Sequence, residues 1–375
     1  MIDDTAAANV QTDARTNRPH PPVDISVQGP GDLQALRERW SDLGGVPRLL
    51  RSREEGVDNS WGDLDVRTLL RGEESSGRFC FHDIIVPPGG SIPVHYHDVG
   101  DSYWWVIEGE VELQIGRRVE CATRYGIGYA PARTRQGLKN ASSRPARLYV
   151  AHSPAGAERA FAEAHELFRA TGERDPSAYI RILARYGFRF DAEPLENDER
   201  VNEPSVRLET VVESFADFEA LRDAWRRRRP IPKLAASEPE NYHTTTGGRG
   251  KLLVSGDETA GHAMCRLTSF PPAHAAPQHH QPTEEEFFYV LEGSVELTCG
   301  TSTGVLPPGA FGFAPRNGTH GFKNASSEEW ARMLSLNSPA GHERGFEMIE
   351  RERGSDRVGE LLVAHGWRMH EVLNP

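Results

Sequence analysis

Apolar positions in this chain follow two periods, and the pair of periods occurs twice. Leu33, Leu36 and Trp40 fall at helical spacing, which predicts an amphipathic helix near the start of the first half. Short apolar runs punctuated by Pro and Gly follow, from about 76 to 152 and again from about 260 to 337, and predict strands in series. Within CFHDIIV (80–86) and FFYVLEGSVEL (287–297) the alternation suits strands with one face in a core. Glu108-Gly109 and Glu292-Gly293 interrupt apolar runs and read as hairpin turns. A helix is predicted after each SPAG, opened by its Ser or Pro, with Phe161, Leu167 and Phe168 on the apolar face in one half and Phe346 and Ile349 in the other.

The two halves share words as well as periods. VIEGEVEL (106–113) returns as VLEGSVEL (290–297), LKNASS (138–143) as FKNASS (322–327) and SPAGAERAF (153–161) as SPAGHERGF (338–346). DLQALRERW (32–40) returns as DFEALRDAW (217–225), and YGFRF (186–190) more distantly as HGWRM (365–369). Repeats in the same order at a nearly constant offset imply duplication of one unit. The expected organisation is a disordered leader over 1–22, a first domain over 23–193, a linker over 194–206 and a second domain over 207–375. Each half, strands in series closed by a helix, is expected to be mainly β, a small barrel or jelly roll with flanking helices.

Charge and cysteine usage narrow the partners. A net charge of −12 argues against nucleic acid or an anionic membrane as partner, so the short RRRRP run (226–230) reads as a solvated face. No apolar run approaches the roughly 20 residues that span a bilayer. The N-terminal stretch has neither the basic nor the apolar region of a secretory signal. Cys80, Cys121, Cys265 and Cys299 are widely spaced, as free thiols in a reducing cytoplasm would be. The partner that remains is a small-molecule substrate; a homodimer is compatible with the sequence.

Candidate chemistry sits in VHYHDVGDSYWWVIEG (94–109) and QHHQPTEEEFFYVLEG (278–293). Residues i and i+2 of a strand share a face, so His95 with His97, or His279 with Gln281, can converge inside a barrel. These stretches resemble the cupin superfamily, whose first motif is G-x5-H-x-H-x3,4-E-x6-G and second G-x5-P-x-G-x2-H-x3-N. Counting back from Gly293 places His279, Gln281 and Glu286 on the first motif; Gly309, Pro315, His320 and Asn324 carry the second, with its inner Gly displaced to 318. In the first half His95 and His97 match, but Ser102 stands at the glutamate and Gln136 at the distal histidine, beside the matching Pro131 and Asn140. The chain thus resembles a bicupin, and its SPAG tails resemble quercetin-dioxygenase-like cupins.

The resemblance implies one divalent transition metal (Fe, Mn, Ni, Cu or Zn) in the second half, held by His279, Glu286 and His320, with Gln281 as a ligand or as a hydrogen-bond partner of the site. Glu286 is also the candidate catalytic residue, as ligand or base. In the first half His95, His97 and Gln136 form a vestigial set. His280 and the carboxylates Glu284 and Glu285 are expected on the surface, the latter two in a solvated turn. Trp104, Trp105, Phe287, Phe288 and Tyr289 are expected to divide between barrel interior and exterior. The implied function is a quercetinase-like dioxygenase of phenolic or enolic compounds. A non-redox isomerase, cyclase or decarboxylase and a non-catalytic binding bicupin remain as alternatives.

Overall fold

A computed structural model describes residues 20–370, apart from 174, 192, 194, 238–242, 246–247 and 353–354. The expected leader therefore lies almost wholly outside the described residues. Each half folds as a seven-stranded and a five-stranded antiparallel sheet facing each other, with helices at the ends. In the first half the five-stranded sheet holds Ser91–His97 between Phe188–Arg189 and Gln136–Lys139, and the seven-stranded sheet is centred on Asp101–Glu108, Ala146–Ser153 and Cys80–Val86. The second half repeats this plan with Ala275–His280 beside His320–Asn324, facing a sheet centred on Glu285–Glu292, Ala331–Ser338 and Met264–Phe270. Among the described residues no helix is long and apolar enough to cross a membrane. All four cysteines are free.

The seven-stranded sheets also face each other, and the strand period sorts the aromatic residues. Trp104 and Phe288 point into their own barrels, while Trp105, Phe287 and Tyr289 point into a shared core between them. There Phe81 meets Phe287 at 4.6 Å between ring centroids and Tyr149 meets Tyr289 at 4.1 Å. Such ring pairs add about 0.5–1.5 kcal/mol each beyond simple burial. The halves also exchange strands. Arg48–Leu50 from the first half pairs with Phe311–Ala314, and Lys233–Ala235 from the second pairs with Ile127–Ala130. Each exchanged strand covers an edge of the other half's sheet that would otherwise expose unpaired backbone groups. The segment between the repeats is docked as well. Buried Asp198 accepts hydrogen bonds from the backbone N–H of Arg135 (2.9 Å) and from its Nε (2.6 Å).

Two local expectations are corrected. The Glu-Gly steps do not close hairpins: each carries the chain from the seven-stranded to the five-stranded sheet, since Asp101–Glu108 and Val111–Ile115 are not paired. Gly109 (φ 75°) and Gly293 (φ 73°) adopt left-handed backbone there, and a Cβ would meet the carbonyl oxygens of Pro145 at 2.9 Å and Trp330 at 2.7 Å. Nor does Ser or Pro cap the helices after SPAG. Gly156 and Gly341 are the capping residues, and their N–H groups donate to Glu158 (2.7 Å) and Glu343 (2.8 Å), carboxylates inside the first turn.

Candidate metal centre

In the second half the ladder between Ala275–His280 and His320–Asn324 places His279 directly opposite His320, and Glu286 comes from the facing sheet. One ligand atom from each of these three residues lies within 4.8 Å of the others. The imidazole tautomers are set by backbone carbonyls. His279 Nδ1–H donates to Pro277 O (2.9 Å) and His320 Nδ1–H to Gly318 O (2.9 Å), which turns both Nε2 atoms inward. His320 Nε2 then faces Glu286 Oε2 at 3.2 Å. A lone pair against a carboxylate at that separation is repulsive; a second proton or a cation between them makes it favourable. Burial disfavours the Glu286 charge, yet without a metal a second proton on His320, with charge on His342 and His279, holds its carboxyl at about 2. Burial, and then His320, hold His279 neutral, at about 3. Two imidazoles presenting lone pairs beside one carboxylate fit a divalent transition ion, with room left for substrate.

That room is a cavity of about 310 Å³, walled by Phe288, Phe322, Phe346, Leu362 and Trp367. Arg266 enters it with its guanidinium 3.5 Å from the Phe346 ring centroid. Burial lowers Arg266 to about 10, opposed by the charge of Glu286.

Gln281 is buried, and its amide lies 3.1 Å from His342 Nε2. His342 lies 2.7 Å from Glu284 Oε2 and 2.5 Å from the Asn337 amide nitrogen, and Glu284 pairs with buried Arg222. Glu284 and Glu285 are thus not in a solvated turn; each is 1% exposed. Glu285 faces Arg78 at 3.3 Å and Arg316 at 3.9 Å, and burial raises its carboxyl to about 7 despite them. The cations that compensate these carboxylates come from distant segments, so nearby residues gave no sign of the burial. His342 escaped the sequence reading too, although SPAGH in the second half against SPAGA in the first marks the position. His280 is partly exposed, 3.0 Å from His370.

The first half uses the matching positions differently. Gln136 pairs with His95 in the ladder, as His320 does with His279. Its amide is consumed, however: Trp104 Nε1–H donates to Gln136 Oε1 (2.7 Å) and Gln136 Nε2–H donates to Ser102 Oγ (3.0 Å). Asp101 points out of the barrel, accepting from Tyr129 OH (3.1 Å) and lying 2.8 Å from His262 Nδ1 of the second half. His95 Nδ1–H donates to Pro93 O (2.8 Å), and Phe188 packs on both His95 and His97, leaving about 40 Å³ of cavity. Burial holds His95 neutral, at about 4, and lowers His97. A second group, Cys80, His82 and His152, converges on the same barrel and was not foreseen.

Comparisons with known proteins agree with this architecture. The cupin domain family matches residues 82–152 and 266–337. No curated protein matches the chain significantly. Among solved structures, protein Ylba from E. coli aligns with a TM-score of 0.51 at 10% identity, covering 79% of this chain and 91% of its own. The W96Y oxalate decarboxylase of Bacillus subtilis aligns at 0.50 and 14% identity, covering 88% and 91%. Procruciferin, the 11S globulin of Brassica napus, aligns at 0.51 and 11%, covering 80% and 86%. At these identities the likeness is one of fold, and it extends across an enzyme and a globulin. A cupin domain thus lies in each half, within its paired antiparallel sheets, and the chain carries the two-domain arrangement of a bicupin.

Proposed function

We propose that the second barrel is the active site of a metal-dependent enzyme acting on a small, largely apolar organic anion. The reaction placed first is quercetinase-like dioxygenation of a phenolic or enolic compound. The observation that carries the metal is His320 Nε2, its Nδ1 proton already committed, facing Glu286 at 3.2 Å with His279 beside them. A divalent ion of the Fe, Mn, Ni, Cu or Zn group, held by His279, Glu286 and His320, supplies Lewis acidity toward a substrate oxygen.

The protein's own groups do the rest. Phe288, Phe322 and Trp367 enclose an apolar ring and exclude water. Arg266 offers a guanidinium to an anionic oxygen of the substrate. Glu286 is the carboxylate among the three converging groups and brings the negative charge a divalent ion needs, which supports the ligand role. The contact with His342 supports Gln281 as a positioning group beside the ligands rather than a ligand itself. Arg266 also favours a second reading: a guanidinium matches a carboxylate, and non-redox isomerisation, cyclisation or decarboxylation of a carboxylate substrate needs the same three ligands.

An oxygen electrode with flavonols, catechols and aromatic 2-oxo acids as probes separates these readings. Dioxygenation gives oxygen uptake equal to substrate loss; substrate loss without uptake selects the non-redox reaction. Turnover that survives joint His279→Ala and His320→Ala overturns the assignment to this barrel.

A further inference from the structure

We propose that the first barrel binds a thiophilic transition ion, Zn(II) or Cu(I), through Cys80, His82 and His152, displaced from the positions used in the second barrel. Cys80 and His82 are two residues apart on Cys80–Val86 and share a face; His152 on Ala146–Ser153 is the direct ladder partner of Cys80. One ligand atom from each lies within 4.8 Å of the others. Metal–ligand bonds of about 2.0–2.3 Å in a tetrahedral site place ligand atoms about 3.4–3.8 Å apart. Side-chain movements on the order of an ångström therefore close the site.

The second observation is a set of orphaned nitrogens. His82 Nε2, His152 Nδ1, His97 Nε2 and His95 Nε2 are buried and have no hydrogen-bond partner. Buried polar atoms are ordinarily satisfied, and each exception is destabilising. An ion held by His82 and His152, with His97 as a further ligand, relieves three of the four. The His97 ring, with its centroid 5.3 Å from that of His152, stands where a fourth ligand can approach.

The donor set selects the ion. Two imidazoles and a thiol suit Zn(II) or Cu(I) and not Mg(II), Ca(II) or Mn(II). Coordination deprotonates the thiol, which gives one negative charge. Glu158 lies against Cys80, and the N–H groups of Gly72 (2.9 Å) and Gly156 (2.7 Å) favour its charge against the opposing effect of burial. The thiolate thus supplies charge that neutral imidazoles alone would not give a divalent ion. The corresponding residues of the second barrel, Met264, Arg266 and Asn337, form no such set, so this site belongs to the first barrel alone. With about 40 Å³ and apolar walls beside it, the ion has no room for an organic substrate. Its role is to hold the barrel together.

The test uses the full chain carrying His279→Ala and His320→Ala, which removes the ligands of the other site. After loading with Zn(II), or with Cu(I) under anaerobic reducing conditions, and desalting, elemental analysis should find one ion per chain. The retained metal identifies which of the two is bound. Co(II) loading should give a thiolate-to-cobalt absorption that Cys80→Ser removes and Cys299→Ser keeps. The ion should raise the melting temperature of the parent and not of Cys80→Ser, whose near-isosteric side chain keeps the fold. A cooperatively melting parent that retains neither ion, or a cobalt band unchanged by Cys80→Ser, overturns the proposal.

Discussion

The two barrels share a backbone plan and differ in what fills them. In the second, His279, Glu286 and His320 border a 310 Å³ cavity; in the first, Ser102 and Gln136 are bonded to each other and to Trp104, and Phe188 covers the two motif histidines beside a 40 Å³ remnant. Duplication gives two equal scaffolds, yet a metal centre at the motif positions needs charge as well as imidazole. Replacing Glu286 by its counterpart Ser102 removes the only carboxylate, and replacing His320 by Gln136 converts the remaining polar capacity into a closed hydrogen-bond network. What the first barrel gains is a rigid interior and a packing face. Its outward aromatic residues, Phe81, Trp105 and Tyr149 among them, pack into the inter-barrel core.

The largest effect that can break this contrast is joint substitution of His279 and His320 by Ala. It should abolish turnover and hard-ion binding in the second barrel, whereas His95→Ala with His97→Ala should leave both in place, as read by elemental analysis and assay. Next, Glu286→Gln removes the charge and keeps the shape. Ion affinity should fall at least tenfold, about 1.4 kcal/mol, by calorimetric titration; an unchanged affinity would mean that the carboxylate is not a ligand.

Acid sharpens the contrast from the other side. In metal-free protein the first barrel holds His82 at about 3, His95 at about 4, and His97 and His152 well below the ordinary imidazole value, burial being the main cause throughout. The unfolded chain takes up protons near pH 6.5 that these folded imidazoles refuse. Stability is therefore full above about 6.5 and declines as pH falls toward about 4, by at most about 1.4 kcal/mol per pH unit for each imidazole. Urea melts at pH 7, 6 and 5 should show this slope, and His95→Gln with His97→Gln should reduce it by the share of those two imidazoles. A slope identical in that variant would contradict the account.

The smallest effect should be equal in the two halves. Gly109→Ala and Gly293→Ala each force a side chain into left-handed backbone against a carbonyl oxygen, costing at least about 1 kcal/mol. Thermal melts giving similar losses would show that the scaffold has stayed symmetrical while the interiors diverged.

What the sequence disclosed was whatever is periodic or local. The strand pattern, the repeat and the spacing of His279, Glu286 and His320 are set by residues within one or two elements, and the structure brings those three together. Non-local partnerships stayed hidden. Glu284 and Glu285 look like a solvated pair until Arg222 and Arg78 arrive from other elements. Arg48–Leu50 and Lys233–Ala235 are too short to show which barrel they join. Cys80 and His82 stand at strand spacing, but His152 joins them only through a ladder between strands far apart in sequence. His342 was visible only as a difference between two otherwise matching repeats.

The central claim is that the metal centre at the motif positions belongs to the second barrel alone. Mn(II), a hard ion suited to imidazole with carboxylate and poorly to thiol, tests it most directly. Equilibrium dialysis should find one Mn(II) per chain in the unaltered protein and in folded His95→Ala/His97→Ala, and none in folded His279→Ala/His320→Ala. Mn(II) retained by the last variant, or lost from the first-barrel variant, would contradict the account.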